Sequence, residues 1–234
     1  MIKLTDRAHG IDVSKYDRTF YPDLATHQLD FVTQRLSYGL KRDEAYTELW
    51  QGVEQVELRG GYHYLSSGVP WRDQMDFFLE LAGTDYLWLA VDFEVAYNNV
   101  NLWFAEELGQ SLAYLDANFA GKVLMYTNRY LYNEWIASRA WAKKFELWLA
   151  QYWDIPNPNK NPSLPSKRDK WTMWQYWHRA NSLKYGLTRR WAGDVNVFNG
   201  TVEQMKEWAN VKQAPKPVTI EERVDALEAV SHKH

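Results

Sequence analysis

The chain has 234 residues, 27 Lys plus Arg against 30 Asp plus Glu, a net charge of −3 and no cysteine. A chain of this length buries a sizeable core unaided, and without cysteine it has no disulfides, thiolate nucleophile or cysteine zinc site. The slightly acidic balance argues against a nucleic-acid partner, and no run of about 18 apolar residues predicts a membrane span.

Taken in order, the opening residues lack the long apolar stretch of a secretory signal. Ile11-Asp12-Val13 is a short strand, and residues 30–36 form another. Residues 42–58 read as a helix, with Ala45, Leu49, Val53 and Val56 near one face. Gly60-Gly61 ends it, and Tyr62-His63-Tyr64-Leu65 returns as strand. Residues 71–82 are helical behind Pro70. Residues 87–95, Leu-Trp-Leu-Ala-Val-Asp-Phe-Glu-Val, carry the strongest buried-strand pattern. A helix over 103–119, a strand over 122–127 and a helix over 130–143 come next. Strands over 145–152, 171–177 and 195–198 follow, and a helix over 201–209 closes the body. The Pro- and Asn-rich stretch 154–170 is a surface loop. Strands alternating with helices predict a mainly parallel sheet, and about eight of them predict an irregular α/β barrel with fewer than eight helices.

Composition shifts near residue 212, so the reading divides the chain into a barrel over 1–212 and a tail over 213–234. In the tail, residues 213–217 read as a linker. Thr219 and Glu222 have capping-box spacing. Ile220, Val224, Leu227 and Ser231 sketch one brief heptad, a possible contact for oligomers.

Thirteen Trp and fifteen Tyr suit both a packed aromatic core and a platform for flat ligand faces such as sugars. Asp92 and Glu94 stand at i and i+2 on the best strand, which points both to one face, roughly 6–7 Å apart at the backbone. Two such acids divide the labour of glycosidic cleavage if mutual repulsion and burial protonate one of them. The same triplet is also common as a pair of solvated carboxylates. Asp12 in the first strand and Asp194 before the last become neighbours if the barrel closes, which gathers four acids at one mouth. His63 reads as a core histidine, His9 as a hydrogen-bonding residue at the barrel floor. No His, Asp and Glu spacing suggests a metal or a cofactor.

His9-Gly-Ile-Asp-Val-Ser14, Gly61-Tyr-His-Tyr-Leu65, Val91-Asp-Phe-Glu94, Met125-Tyr-Thr-Asn128, Leu147-Trp-Leu-Ala-Gln-Tyr152, Trp174-Gln-Tyr176 and Gly193-Asp-Val-Asn-Val-Phe-Asn-Gly200 occur in that order. With them the chain resembles the glycoside hydrolase family 25 lysozymes, the Chalaropsis-type muramidases of bacteria, fungi and phages, over roughly residues 8–209. The resemblance implies an eight-stranded irregular barrel and cleavage of the β-1,4 bond from N-acetylmuramic acid to N-acetylglucosamine in peptidoglycan. It implies Glu94 as general acid and then base. Asp92 would be nucleophile or the group that orients the 2-acetamido carbonyl, and Asp12 and Asp194 supporting acids. Tyr62, Tyr64, Tyr126, Gln151, Gln175 and Asn196 would line the substrate groove. A wall substrate without a signal segment would suit a phage or prophage endolysin, made in the cytoplasm and released by a holin or carried on the virion. A silent glycan binder and a related barrel N-acetylglucosaminidase are the rival readings. One strand departs from the family pattern: where Lys-Ala-Thr is usual, this chain has Gln34-Arg35-Leu36.

Overall fold

A computed structural model describes residues 6–17, 19–26, 29–94, 100–188 and 193–210. The tail expected to form a linker and oligomer helix lies outside the described residues, as does Val95. The strands are β1 (His9–Val13), β2 (Phe31–Tyr38), β3 (Lys41–Arg42), β4 (Leu58–Tyr64), β5 (Trp88–Asp92), β6 (Lys122–Asn128), β7 (Glu146–Ala150), β8 (Met173–Ala180) and β9 (Gly193–Phe198). The helices among the described residues are α1 (Tyr46–Val53), α2 (Trp71–Ala82), α3 (Leu102–Asn118), α4 (Arg129–Leu131, continuing as a π-turn over Tyr132–Ile136) and α5 (Val202–Asn210).

The sheet runs β1-β9-β8-β7-β6-β5-β4-β2, and a further β1–β2 pairing closes it into an eight-stranded barrel; β3 hairpins back on β2. Seven barrel strands are parallel in sequence along the ring. β9 alone is reversed, antiparallel to both β1 and β8. Its first residues therefore stand on the rim where the other strands end.

Alternation along each strand sorts side chains by face. On β5, Leu89 and Val91 join the outer core with Met75 and Phe78 of α2 and Leu108 and Leu112 of α3. Trp88 and Ala90 point into the barrel, where they meet Phe31, Leu58, Leu124, Trp148, Met173 and Phe198. α5 plugs the floor: Met205 and Ala209 belong to this inner cluster, and Trp208 packs 5.8 Å from Trp88 and 5.3 Å from Phe198.

Three local expectations are corrected. Gly60-Gly61 does not terminate a helix but lies inside β4, because the barrel must hold Trp88 there. A Cβ on Gly60 would stand 1.9 Å from the indole nitrogen. The first helix is confined to α1. Arg42 pairs in the β3 hairpin, and Asp43 Oδ1 accepts the Ala45 N–H just ahead of the helix. The helix expected over 130–143 stops at Ile136. Beyond it Arg139 N–H bonds Ile136 O, Ala142 N–H bonds Arg139 O and Lys144 N–H bonds Trp141 O. These are three-residue turns, too tight to continue an α-helix. By contrast α2 occupies the predicted residues, and α3 begins where the Asn101 side chain accepts the Phe104 N–H at 3.0 Å.

Candidate active site

The inward positions nearest the strand ends are Asp12, Arg35, Tyr62, Asp92, Tyr126 and Gln175, with Asp194 from the reversed strand. All of them line one cleft of about 880 Å³, with Glu94, Tyr64 and Trp148. Register explains the convergence. Asp92 pairs with Tyr64 on one side and Tyr126 on the other, while Asp12 sits directly opposite Asp194 across the β1–β9 pair. Glu94 lies two residues past the end of β5, where the alternation continues: Phe93 joins the outer core and its N–H bonds Tyr126 O at 3.0 Å, so Glu94 falls on the cleft side with Asp92.

Neutral amides brace the acids. Asp12 Oδ2 accepts from Gln175 Nε2 at 2.8 Å and from Asn196 Nδ2 at 2.7 Å. Neither amide can turn over. Asn196 Oδ1 already accepts the Trp148 indole N–H at 2.8 Å, and Gln175 Oε1 accepts the hydroxyls of Tyr126, at 2.9 Å, and Tyr152. Asp92 has no such support: its Oδ1 is buried without a hydrogen-bond partner among the described residues.

Burial dominates the electrostatics. It lifts Asp12 to about 6, against the pull of its two amide donors and with a push from Glu94. Burial, then the charges of Glu94 and Asp12, hold Asp92 well above the carboxylate range, and only Arg35 favours its ionised form. Glu94 is raised by burial and eased back by Tyr126. Asp194 is raised well above its ordinary value by burial, Asp12, Asp17 and Glu94. Burial thus presses both Asp92 and Glu94 toward their protonated forms, and the two titrate together.

Two of the ten expected site residues stand apart from the cleft wall. Gln151 turns toward the following loop, where its Oε1 accepts the Ser163 N–H at 2.6 Å. Asn196 is fully buried and acts behind Asp12. Sequence reasoning missed several residues that line the cleft: Lys15, Tyr16, Tyr38, Tyr152, His178 and Arg179. Lys15 and Tyr16 follow Asp12 directly in the chain, and Tyr38 closes the strand already marked as atypical, so adjacency was the available signal. His63 is the core residue expected, between Ser37 Oγ at 2.8 Å and Gln74 Oε1 at 3.0 Å. His9 bonds the Tyr176 hydroxyl at 2.6 Å, on the outer face of β1. Among the described residues no group of three or more His, Asp and Glu could hold a metal ion, and no helix is long and apolar enough to cross a membrane.

Comparison with known proteins agrees with this geometry. The uncharacterized protein YegX of Escherichia coli strain K12 is 26% identical over 219 residues, covering 88% of this chain and 75% of YegX. The bacterial lysozyme from Streptomyces coelicolor superimposes with a TM-score of 0.74 at 21% identity, over 89% of this chain and 99% of that one. A family 25 glycosyl hydrolase from Bacillus anthracis gives 0.72 at 20% identity, over 89% and 95%. The model of the glycosyl hydrolases family 25 matches residues 11–183, from the strand of Asp12 past the last parallel strand. A closed barrel with one reversed strand and an acid-lined mouth, matched by that family's model over most of its length, places this chain among the glycosyl hydrolases of family 25, and it is a glycoside hydrolase.

Proposed function

We propose that the chain is a muramidase that hydrolyses the β-1,4 bond between N-acetylmuramic acid and N-acetylglucosamine in bacterial peptidoglycan. The observation that carries this reading is the gathering of Asp12, Asp92, Glu94 and Asp194 on one cleft with tyrosines for sugar faces. Its relatives in structure point the same way. Besides the Streptomyces lysozyme they include the catalytic domain of endolysin Ply40 from bacteriophage P40 of Listeria monocytogenes, at TM-score 0.68 and 19% identity. Action on the cell wall follows from that substrate, and an endolysin role is the finer form of the proposal. We assign the catalysis to the unit over residues 1–212.

In this mechanism the Glu94 carboxyl protonates the leaving oxygen as the C1–O bond breaks, and its carboxylate then takes the proton of the attacking water. We assign Asp92, on the same cleft, to orienting the substrate's 2-acetamido group, whose carbonyl oxygen attacks C1 and preserves the anomeric configuration, an exception to the two-carboxylate scheme. Asp12 and Asp194 stand beside Glu94 on the cleft as supporting acids, and Tyr62 and Tyr126 bear on the sugar. Gln175 keeps Asp12 and Tyr126 in register.

The test is digestion of purified cell walls with analysis of new reducing ends. Muramic acid ends are the expected product, and glucosamine ends would replace the reading with an N-acetylglucosaminidase. Glu94→Gln should lower clearing by about 10²–10⁴-fold while wall binding persists. A wild-type protein that binds walls and never cleaves them would leave only a glycan binder.

A further inference from the structure

Arg35 lies in the stretch Gln34-Arg35-Leu36 that stands where the family pattern would have Lys-Ala-Thr, and it lines the cleft. Its residue is 8% exposed. Its Nε donates to Asp43 Oδ2 at 2.6 Å, while Nη2 is buried with no hydrogen-bond partner among the described residues. A guanidinium placed only to bridge to Asp43 would use two of its parallel donors on the two carboxylate oxygens. Here Asp43 is occupied otherwise. Oδ1 accepts the Ala45 N–H, and Oδ2 also accepts the Lys15 N–H at 3.1 Å. Asp43 therefore holds the guanidinium by one donor and leaves Nη2 without a hydrogen-bond partner among the described residues.

Two tyrosines complete the mount. The guanidinium carbon lies 5.4 Å from the Tyr16 ring and 5.5 Å from the Tyr38 ring. Lys15 stands over the same two rings, at 5.5 and 4.8 Å, and lines the cleft as well. This wall of the cleft carries two cations, Arg35 paired with Asp43 and Lys15 paired with Glu44, and it faces a group of four carboxylates. Such a group repels an acidic sugar, so a cleft that admits one needs a cation at the place where the sugar's own charge arrives. A buried cation with unused donors is costly in the free protein and is repaid when a ligand supplies the anion.

Resting on the muramidase reading, we propose that Arg35 is a specificity residue that binds a carboxylate carried by the muramyl sugar, through the unused edge of its guanidinium. That carboxylate is either the sugar's own lactyl group, freed of peptide, or an acid group of the peptide attached there. Arg35 thereby separates muramyl glycans from neutral N-acetylglucosamine polymers.

Titration calorimetry on the Glu94→Gln protein tests this with three glycan preparations of matched length. One is stripped of peptide by an amidase, so each lactyl group ends in a carboxylate. The second is the same material with those carboxylates converted to methyl amides. The third keeps its peptides, so its charge lies on the peptide alone. Binding of the first or third should exceed that of the second by about tenfold, the strength of one charge-assisted pair. Preference for the first names the lactyl group, and preference for the third the peptide. Adding Arg35→Gln should abolish the preference, and adding Arg35→Lys should keep part of it. Equal affinity for all three in the Glu94→Gln protein overturns the proposal, as does a preference that survives Arg35→Gln. If the glutamine variant fails to fold, the comparison in the Glu94→Gln protein and the lysine variant decide alone. Cleavage of peptide-bearing glycan by the wild-type protein reports separately on the muramidase reading, so the two fail independently.

Discussion

Asp12→Asn is a nearly isosteric change that should make the protein more stable at neutral pH. Both amide donors to Asp12 converge on Oδ2, at 2.7 and 2.8 Å, so the amide oxygen of an asparagine can take that place and accept both. What the substitution removes is a buried charge. Burial lifts Asp12 from 3.8 to about 6. The fold prefers the protonated acid, so its contribution is full below the unfolded pKa and is lost as pH rises through about 6. At about 1.4 kcal/mol per unit, the ionised acid costs the native state about 3 kcal/mol at pH 7 and about 1 kcal/mol at pH 4.5. Urea unfolding of both proteins at the two pH values should show the variant ahead at pH 7 and its lead reduced by about 2 kcal/mol at pH 4.5. A variant less stable than wild type at pH 7, or a difference that ignores pH, would refute the buried-acid account. Activity should fall even as stability rises, which is the usual exchange at a strained functional site.

Three further outcomes follow from the fold. Gly60→Ala forces a Cβ to within 1.9 Å of the Trp88 indole nitrogen and should cost about 1–3 kcal/mol or more in thermal or urea unfolding. Gly68→Ala, with nothing within 4 Å but φ +81°, should cost only about 1 kcal/mol. His63 is held by burial at about 4, below its ordinary 6.5. Its neutral form stabilises the fold above pH 6.5, and that contribution is lost as pH falls toward 4. The stability deficit of His63→Gln against wild type should therefore shrink by about 2 kcal/mol between pH 7 and pH 4.5, measured by urea unfolding.

Much of the barrel was legible because its signals are local. Pro70 and the apolar spacing of Met75, Phe78 and Ala82 mark α2 without any knowledge of neighbours. The run ending in Asp92-Phe93-Glu94 announces both a buried strand and its acids. What escaped depends on long-range packing. Gly60 reads as punctuation until Trp88, 28 places further on, is seen to need the space. The reversal of β9 leaves no trace in a period-two pattern, since alternation is the same in either direction. Gln151 and Asn196 sit in matching motifs, yet their amides face Ser163 and Asp12, a choice set by donors far away in sequence. Arg35 stood out as a departure from a family pattern, but its mounting between Tyr16, Tyr38 and Asp43 required coordinates.

The descending final strand has an architectural outcome. Because β9 starts beside Asp194 at the acidic mouth and runs down to Phe198, α5 is delivered to the opposite end, where Met205 and Trp208 stopper the base. A reporter or wall-targeting module grafted behind α5 would hang from the underside of the cup, leaving the lip clear for a polymer chain to thread across it.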